Sequence, residues 1–377
     1  VIETPGFLLT VASFFLVIGP LIFVHELGHY FAGRAFGVKA DAFSIGFGRE
    51  VVGWTDKRGT RWKIGWMPLG GYVKFAGDMS PASTPDPAWQ ALPPAEKART
   101  FQAKPLWQRF IIVAAGPATN FAFAILVFAA FFASYGEPRT PNVVASVVAG
   151  SAAEKAGILP GDRVTMIARQ GVDRFEDIAP IVRIRPGEPL RMDVYRGARQ
   201  IHLTVVPDRE KQEDRFGNRF EIGRLGVGSP APIIQPLPAG QVLGAAVKHT
   251  RDIVVAMVST LGQIITGRRS VAELGGPLQI AKFSGQTVTL GWLPFVEFMA
   301  MISINLGFIN LLPIPLLDGG HLFFYALEGV RRRPLNPVVQ EWAFRSGLAL
   351  LLAFMLFVTF NDLASLGLWA GLAGLIG

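Results

Sequence analysis

His25-Glu26-Leu27-Gly28-His29 closes an apolar run that begins at Phe7, and its reading decides what kind of molecule this is. Residues four apart on a helix stand one above the other, so His25 and His29 turn two imidazoles toward one point with Glu26 beside them. This is the H-E-x-x-H zinc arrangement. The seventeen residues 7–23 carry no charge. At 1.5 Å per residue His25 lies roughly 27 Å along a helix from Phe7, inside a hydrocarbon core of about 30 Å and near its far face. In a soluble chain the string is often accidental, and two helical histidines can be satisfied core residues. Inside a membrane span, ionisable groups are costly and mark a function, so the metal reading is preferred.

The composition agrees with that setting. Half of the 377 residues are hydrophobic and the mean hydropathy is +0.37, as in an integral membrane protein that carries a soluble insert. Four apolar stretches are long enough to span, at 7–36, 107–135, 294–316 and 344–376. The first is not expected to be a secretory signal peptide, since it lacks a basic start and holds the candidate chemistry. There is no cysteine, so a metal must be held by nitrogen and oxygen, which restricts the search to five histidines and the carboxylates. The net charge of +8 raises the question of nucleic acid. No nucleic-acid motif accompanies it, and basic loops between membrane spans account for it.

Short basic loops stay on the cytoplasmic side. Arg331, Arg332 and Arg333 lie between the third and fourth spans, whereas the residues before Phe7 carry only Glu3 and those beyond Asn361 have no Lys or Arg. Both termini are therefore expected outside, with the motif end of the first helix toward the cytoplasm. The segment 136–293 is also basic, but long loops cross largely regardless of charge.

Between the first two spans, residues 37–106 contain two glycine-rich runs, Ala42-Phe43-Ser44-Ile45-Gly46-Phe47-Gly48 and Trp62 to Phe75, whose aromatic and β-branched residues predict short hairpins. Six prolines between 79 and 105 mark an irregular connector. The second span opens with Ala115-Gly116-Pro117-Ala118-Thr119-Asn120, read as a close helix contact; Asn120 must find a partner in the membrane. Residues 142–207 then turn β-rich around Ser151-Ala152-Ala153-Glu154-Lys155-Ala156-Gly157-Ile158-Leu159-Pro160-Gly161-Asp162-Arg163-Val164. That run resembles a PDZ domain, a module that takes peptides by adding a strand to a sheet edge; the alternative is a β-rich spacer or size filter. Residues 208–240 are charged and then rich in Gly and Pro, as in a linker. Residues 241–267 are amphipathic and suited to a membrane surface. His249, on the polar side, and His202, on a strand, are expected to face solvent.

The third span runs into Asn310-Leu311-Leu312-Pro313-Ile314-Pro315-Leu316-Leu317-Asp318-Gly319-Gly320-His321. Prolines at spacing two end a regular helix, and open backbone at membrane depth survives only where protein covers it or a cavity meets it. Asn310 lies roughly 22 Å along a helix from Phe295, a depth comparable to His25. Catalytic zinc takes three protein ligands and keeps a position open for water. His25 and His29 supply two. The third is Asp318 or His321, and Asp318 is favoured because it follows the break and precedes the glycine pair; its alternative role is a helix cap. Asp362 and Asn361 are weaker candidates. Glu26 would then move the proton of the attacking water to the leaving amine and Asn310 would steady the oxyanion, giving peptide hydrolysis.

With H-E-x-x-H at 25–29, Asn-x-x-Pro-x-Pro-x-x-Asp-Gly at 310–319, one PDZ-like insert and Gly276-Pro277-Leu278-Gln279-Ile280-Ala281, the chain resembles the site-2 protease family of intramembrane zinc metalloproteases, specifically the bacterial regulator of sigma-E protease group. The resemblance implies zinc on His25, His29 and Asp318, with Glu26 as catalytic carboxylate. It implies an inner-membrane location and a membrane-dipping β-loop within 37–76. Its substrates would be single-span membrane proteins already trimmed outside, such as an anti-sigma factor. The expected fold is thus a polytopic α-helical membrane protein with four transmembrane helices, a membrane-associated β-loop and an inserted PDZ-like α+β domain. The chain has room for one PDZ domain where well-known members of the group have two. A helical substrate hides its carbonyls in hydrogen bonds, so an edge strand would be needed to hold it unwound; Gly65, Gly70, Gly71, Tyr72 and Lys74 are the candidates for that edge. Two other classes fit less well: a zinc transporter would need more ligands at successive depths, and an inactive PDZ-bearing scaffold would not need Glu26.

Overall fold

The computed structural model describes residues 5–77, 92–213, 219–271 and 275–365. The first part of the proline-rich connector and the end of the fourth apolar stretch lie outside the described residues. Two compact units divide the chain: the first comprises residues 1–128, 246–254 and 272–377, the second residues 129–245 and 255–271.

In the first unit α1 (Phe7–Ala35) leads into β1 (Ala40–Thr55) and β2 (Arg61–Phe75), then a short α2 (Pro94–Lys97) and the long α3 (Leu106–Tyr135). Later come α7 (Pro277–Thr289), α8 (Trp292–Asn310), α9 (Asp318–Arg331) and α10 (Pro337–Ser365). Four of these, α1, α3, α8 and α10, are long and apolar enough to cross a membrane. They match the four expected spans with two shifts of boundary. α8 stops at Asn310, ahead of Pro313 and Pro315, whose missing N–H groups bar further helix. α10 begins at Pro337, where a proline suits the first helical turn because its N–H would have no partner anyway.

Small residues let the spans approach closely, as the sequence suggested. A Cβ on Gly28 of α1 would overlap the Ala115 carbonyl and Thr119 hydroxyl of α3, and one on Gly307 of α8 would sit 3.1 Å from the Pro117 carbonyl. With no water to expel between lipid-facing helices, such contact and the hydrogen bonds it permits hold the bundle. α7 packs on α1 and is capped from far along the chain. The buried carboxylate of Asp362, in α10, accepts from the backbone N–H groups of Gly276, Leu278 and Gln279 at 3.0, 3.1 and 3.3 Å. These are groups a helix start leaves without partners. Gly276 leaves room for this cap, since a Cβ there would stand 2.7 Å from Asp362 Oδ2.

β1 and β2 pair twice over. Residues 42–45 match residues 71–74 on one side (Ile45 with Gly71, Ser44 with Tyr72) and residues 61–64 on the other (Ile45 with Ile64, Ser44 with Lys63). The expected hairpins therefore form one sheet, and among the described residues no further strand covers the outer side of 71–74. The sheet is anchored by Phe43, Phe75 and Tyr30, buried with Phe101 and Ile112, while Phe47, Val51, Val52, Trp54, Ile64 and Trp66 remain exposed.

The second unit centres on a sheet ordered β6-β5-β7-β8 (Gln170–Gly171, Arg163–Ile167, Leu190–Arg196, Arg199–Val205), with α4 (Ala152–Lys155), a 3-10 turn (Phe175–Asp177) and α5 (Ile178–Arg183). Its core is Val164, Ile167, Met192, Val194 and Val205 with Ala153, Ile158 and Ile178. The Gly-Asp pair serves the fold itself, because buried Asp162 accepts from Arg196 Nε at 2.8 Å and from the Leu159 N–H at 2.9 Å. The guanidinium holds its carboxyl below the usual range.

The linker reading of residues 208–240 needs correcting. Residues 208–213 (β9) and 219–224 (β10) form a hairpin, while β11 (Val227–Gly228) pairs with β4 (Ser146–Val147) and β12 (Ile233–Gln235) with β3 (Glu137–Arg139). The charges that suggested a linker pair across the hairpin, Arg209 with Glu221 at 3.2 Å and Arg224 with Glu210 at 3.0 Å. The folded unit therefore extends beyond residue 207. The amphipathic stretch is helical as expected, as α6 (Ala239–Ile265).

Replacing Asp362 with Ala leaves three backbone donors at the start of α7 without their acceptor. We expect a loss of roughly 1–3 kcal/mol, read as a lower thermal midpoint of the detergent-solubilised protein.

Candidate metal centre

α1 puts His25 and His29 one turn apart, and the break after α8 brings Asp318 to them. The turn is tight: the Ile314 N–H donates to the Leu312 carbonyl at 2.7 Å and the Leu317 N–H to that of Ile314 at 3.1 Å. Leu316 sits at a φ of +83°, which a branched side chain adopts only where its surroundings enforce it. Gly320 allows α9 to press on this turn, since its Cβ would lie 2.5 Å from the Ile314 carbonyl. Asp318, the first residue of α9, is pinned between the break and the glycines.

Three side-chain atoms converge. His25 Nε2 lies 3.3 Å from His29 Nε2, and Asp318 Oδ2 lies 3.1 Å from the first and 3.4 Å from the second. Zinc bonded to nitrogen and oxygen at 2.0–2.1 Å in a tetrahedron spaces its ligands about 3.3 Å apart, so the triangle has the size the ion requires. Oδ2 is buried and makes no hydrogen bond of acceptable geometry with either ring, as suits an oxygen aimed at a shared point. Nitrogen and oxygen donors without sulfur suit zinc at a catalytic centre. No other cluster of three such groups occurs among the described residues.

α3 backs both rings. His29 Nδ1 lies 2.9 Å from the Ile112 carbonyl, which can only accept, so Nδ1 carries the proton and Nε2 its lone pair. The amide nitrogen of Asn120 lies 3.0 Å from His25 Nδ1, and Asn120 is fully buried with Oδ1 unpartnered. Ser303 of α8 donates to the Asn120 carbonyl at 2.9 Å. Between these contacts, Gly116 makes room: a Cβ there would overlap His29 Nε2 and stand 2.9 Å from His25 Cε1.

Glu26 is buried beside the rings. The backbone of Val73 lies beside its carboxylate, and Gly71 lies so close that a Cβ would meet Glu26 Cγ at 2.9 Å. The segment 71–74 thus runs past the carboxylate. Of the other strand candidates, Gly70 abuts the Phe47 ring, Tyr72 stacks on that ring with centroids 6.0 Å apart, Lys74 pairs with Ala42, and Gly65 lies in the part of β2 opposite Glu50. Asn310 ends α8, half-buried, ahead of the turn to Asp318. His321 packs on Phe344 with ring centroids 4.9 Å apart, and it is Asp318 whose oxygen lies beside the histidine pair. His249 is half-buried against Phe128, not solvated as expected, because an imidazole edge packs well on an aromatic face. His202 is exposed and hydrogen-bonds to Asp193 at 2.7 Å.

Sequence reasoning missed Gly116, the Ile112 carbonyl and the tie between Asn120 and His25. A polar residue that needs a partner at membrane depth was the one available signal.

The family model described as "Peptidase family M50" matches residues 13–354. The chain belongs to peptidase family M50. It is similar to the Agrobacterium fabrum protein named "Putative zinc metalloprotease Atu1380", 43% identical over 94% of this chain and 96% of the relative. It is also similar to "Putative zinc metalloprotease R01501" of Rhizobium meliloti, 42% identical over 94% and 96%, and to "Metalloprotease MmpA" of Caulobacter vibrioides, 37% identical over 98% and 99%. The site-2 protease resemblance is thereby borne out, and this M50 chain is a zinc-dependent metalloprotease with four helices able to cross a membrane.

Gly116→Ala places a methyl group where both imidazoles stand. We expect bound zinc to fall at least tenfold by metal analysis of purified protein. Gly262→Ala in α6, where nothing lies within 4 Å of the new Cβ, should leave zinc unchanged and stabilise the helix by roughly 0.5–1 kcal/mol.

Proposed function

We propose that this M50 protease is an intramembrane enzyme that hydrolyses a peptide bond within or near the transmembrane segment of single-span membrane proteins. The carrying observation is the triangle of His25, His29 and Asp318, drawn from two apolar segments and set beside Glu26. These three residues would hold the zinc. Bound there, zinc supplies Lewis acidity, lowering the pKa of a water molecule and polarising a carbonyl. Glu26 takes the proton from the attacking water and delivers it to the leaving amine. The β2 backbone lies against that carboxylate at Gly71. Asn310, at the end of α8, steadies the developing oxyanion.

Cleavage needs the scissile bond extended. Residues 71–74 offer backbone along an edge that no described strand covers, and strand addition there would hold an unwound substrate beside Glu26. Tyr72 and Lys74 line that edge with Gly70 and Gly71. The exposed Trp54, Trp66, Val51 and Val52 fit a sheet dipping into lipid.

The second unit is read as a PDZ-like domain outside the membrane, with both termini on that side and the triangle toward the cytoplasm. On this reading the enzyme sits in a bacterial inner membrane and is the second protease acting on a substrate already trimmed outside, of the anti-sigma-factor kind. One such unit then screens substrates by the size or the new carboxyl terminus of their outer domains.

Glu26→Gln, assayed in membranes with a co-expressed single-span substrate, should abolish cleavage while zinc content stays at the wild-type level; cleavage at more than a tenth of the wild-type rate would remove Glu26 from its role. Tyr72→Pro should slow cleavage of a helical substrate more than of one carrying helix-breaking residues. Equal slowing of both would refute strand addition.

A further inference from the structure

We infer that Asn120 is a positioning residue for the metal centre: its amide oxygen accepts from His25 Nδ1–H and fixes the tautomer that turns the Nε2 lone pair toward Asp318 and His29. The inference rests on the ligand set proposed above. An imidazole that binds zinc through Nε2 carries its proton on Nδ1. For His29 that proton has a natural acceptor, the Ile112 carbonyl at 2.9 Å. For His25 the polar group at hydrogen-bonding distance is the Asn120 amide, 3.0 Å away.

An amide is symmetric in shape but not in chemistry, so its neighbours decide which end faces the ring. With nitrogen toward Nδ1, a donor faces the donor that zinc ligation demands, and Oδ1 stays buried without a partner. Turning the amide by half a rotation occupies the same volume, replaces the donor clash with an Nδ1–H to Oδ1 hydrogen bond, and moves the NH2 group to the place Oδ1 held. The residue is well held for this: Asn120 is fully buried, and Ser303 Oγ anchors its backbone carbonyl at 2.9 Å. One helix, α3, then sets both tautomers, through a main-chain carbonyl for His29 and a side-chain amide for His25.

The test uses the purified full chain in detergent and measures zinc affinity by competition with a chelator, beside the thermal midpoint of the metal-stripped protein. Asn120→Leu removes the acceptor while keeping bulk, and zinc should bind about 10–100-fold more weakly. Asn120→Asp keeps the shape and offers only acceptors, so it should restore wild-type affinity or better. That rescue separates a hydrogen-bond acceptor from a packing role, and from an amide that acts as donor. Wild-type affinity in Asn120→Leu, or an Asn120→Asp variant as weak as the leucine variant, would overturn the inference. His25→Ala is measured alongside. Unchanged zinc in that variant would overturn the ligand set itself, whereas lost zinc there with unchanged zinc in Asn120→Leu would overturn the role of Asn120 alone.

Discussion

Two imidazole nitrogens and a carboxylate oxygen stand within 3.4 Å of one another in a largely apolar surround. Electron pairs facing each other at that spacing repel, and burial removes the water that would screen them. Such a cluster persists only where a positive centre is shared among its members and the scaffold resists their separation. The resistance comes from several sides. α1 fixes the ring spacing, the glycine-backed turn before α9 fixes Asp318, and α3 closes the back of both rings. None of these elements suffices alone, because each donor reaches the common point from a different direction.

Close approach of helices makes that convergence possible. Gly28 lets α3 lie against α1, and Gly116 opens the space that the imidazoles occupy. Each glycine weakens its own helix by roughly 1 kcal/mol relative to alanine. In a bilayer that loss is offset by packing and by polar contacts between helices, since lipid gives no hydrophobic drive to associate. The same logic explains Asp362. A carboxylate buried in α10 is costly alone but becomes a stabilising cap when three backbone donors of α7 meet it.

What could be read from the chain was local and periodic. The spacing of His25 and His29, the uncharged runs and the Pro-x-Pro break each carry their meaning within a few turns, and the first two spans came out within a residue of expectation. The Asn120 run was legible as a helix contact but not as a partner of His25, because 95 residues separate the two. The hairpin of β9 and β10 was hidden for a different reason. Its alternating charges satisfy one another across strands, whereas read along the chain they look like a solvated connector. Nothing in the glycine-rich runs revealed that residues 42–45 would be flanked by strand on both sides; that register depends on which aromatic side chains are buried beneath it.

Gly71 joins the sheet to the chemistry. Because it has no side chain, β2 passes directly over Glu26, and the Val73 backbone reaches the carboxylate. A strand laid along the outer side of 71–74 would stand about 4.8 Å away, with its residues advancing about 3.3 Å each instead of the 1.5 Å of a helix. In the function proposed above, joining the edge would unwind a substrate and expose its carbonyls in one event, beside the residue that would handle the proton. Any side chain at position 71 would push the edge off Glu26 and separate unwinding from proton transfer. In that proposal the coupling of the two steps would rest on a missing side chain at the crossing of β2 over α1.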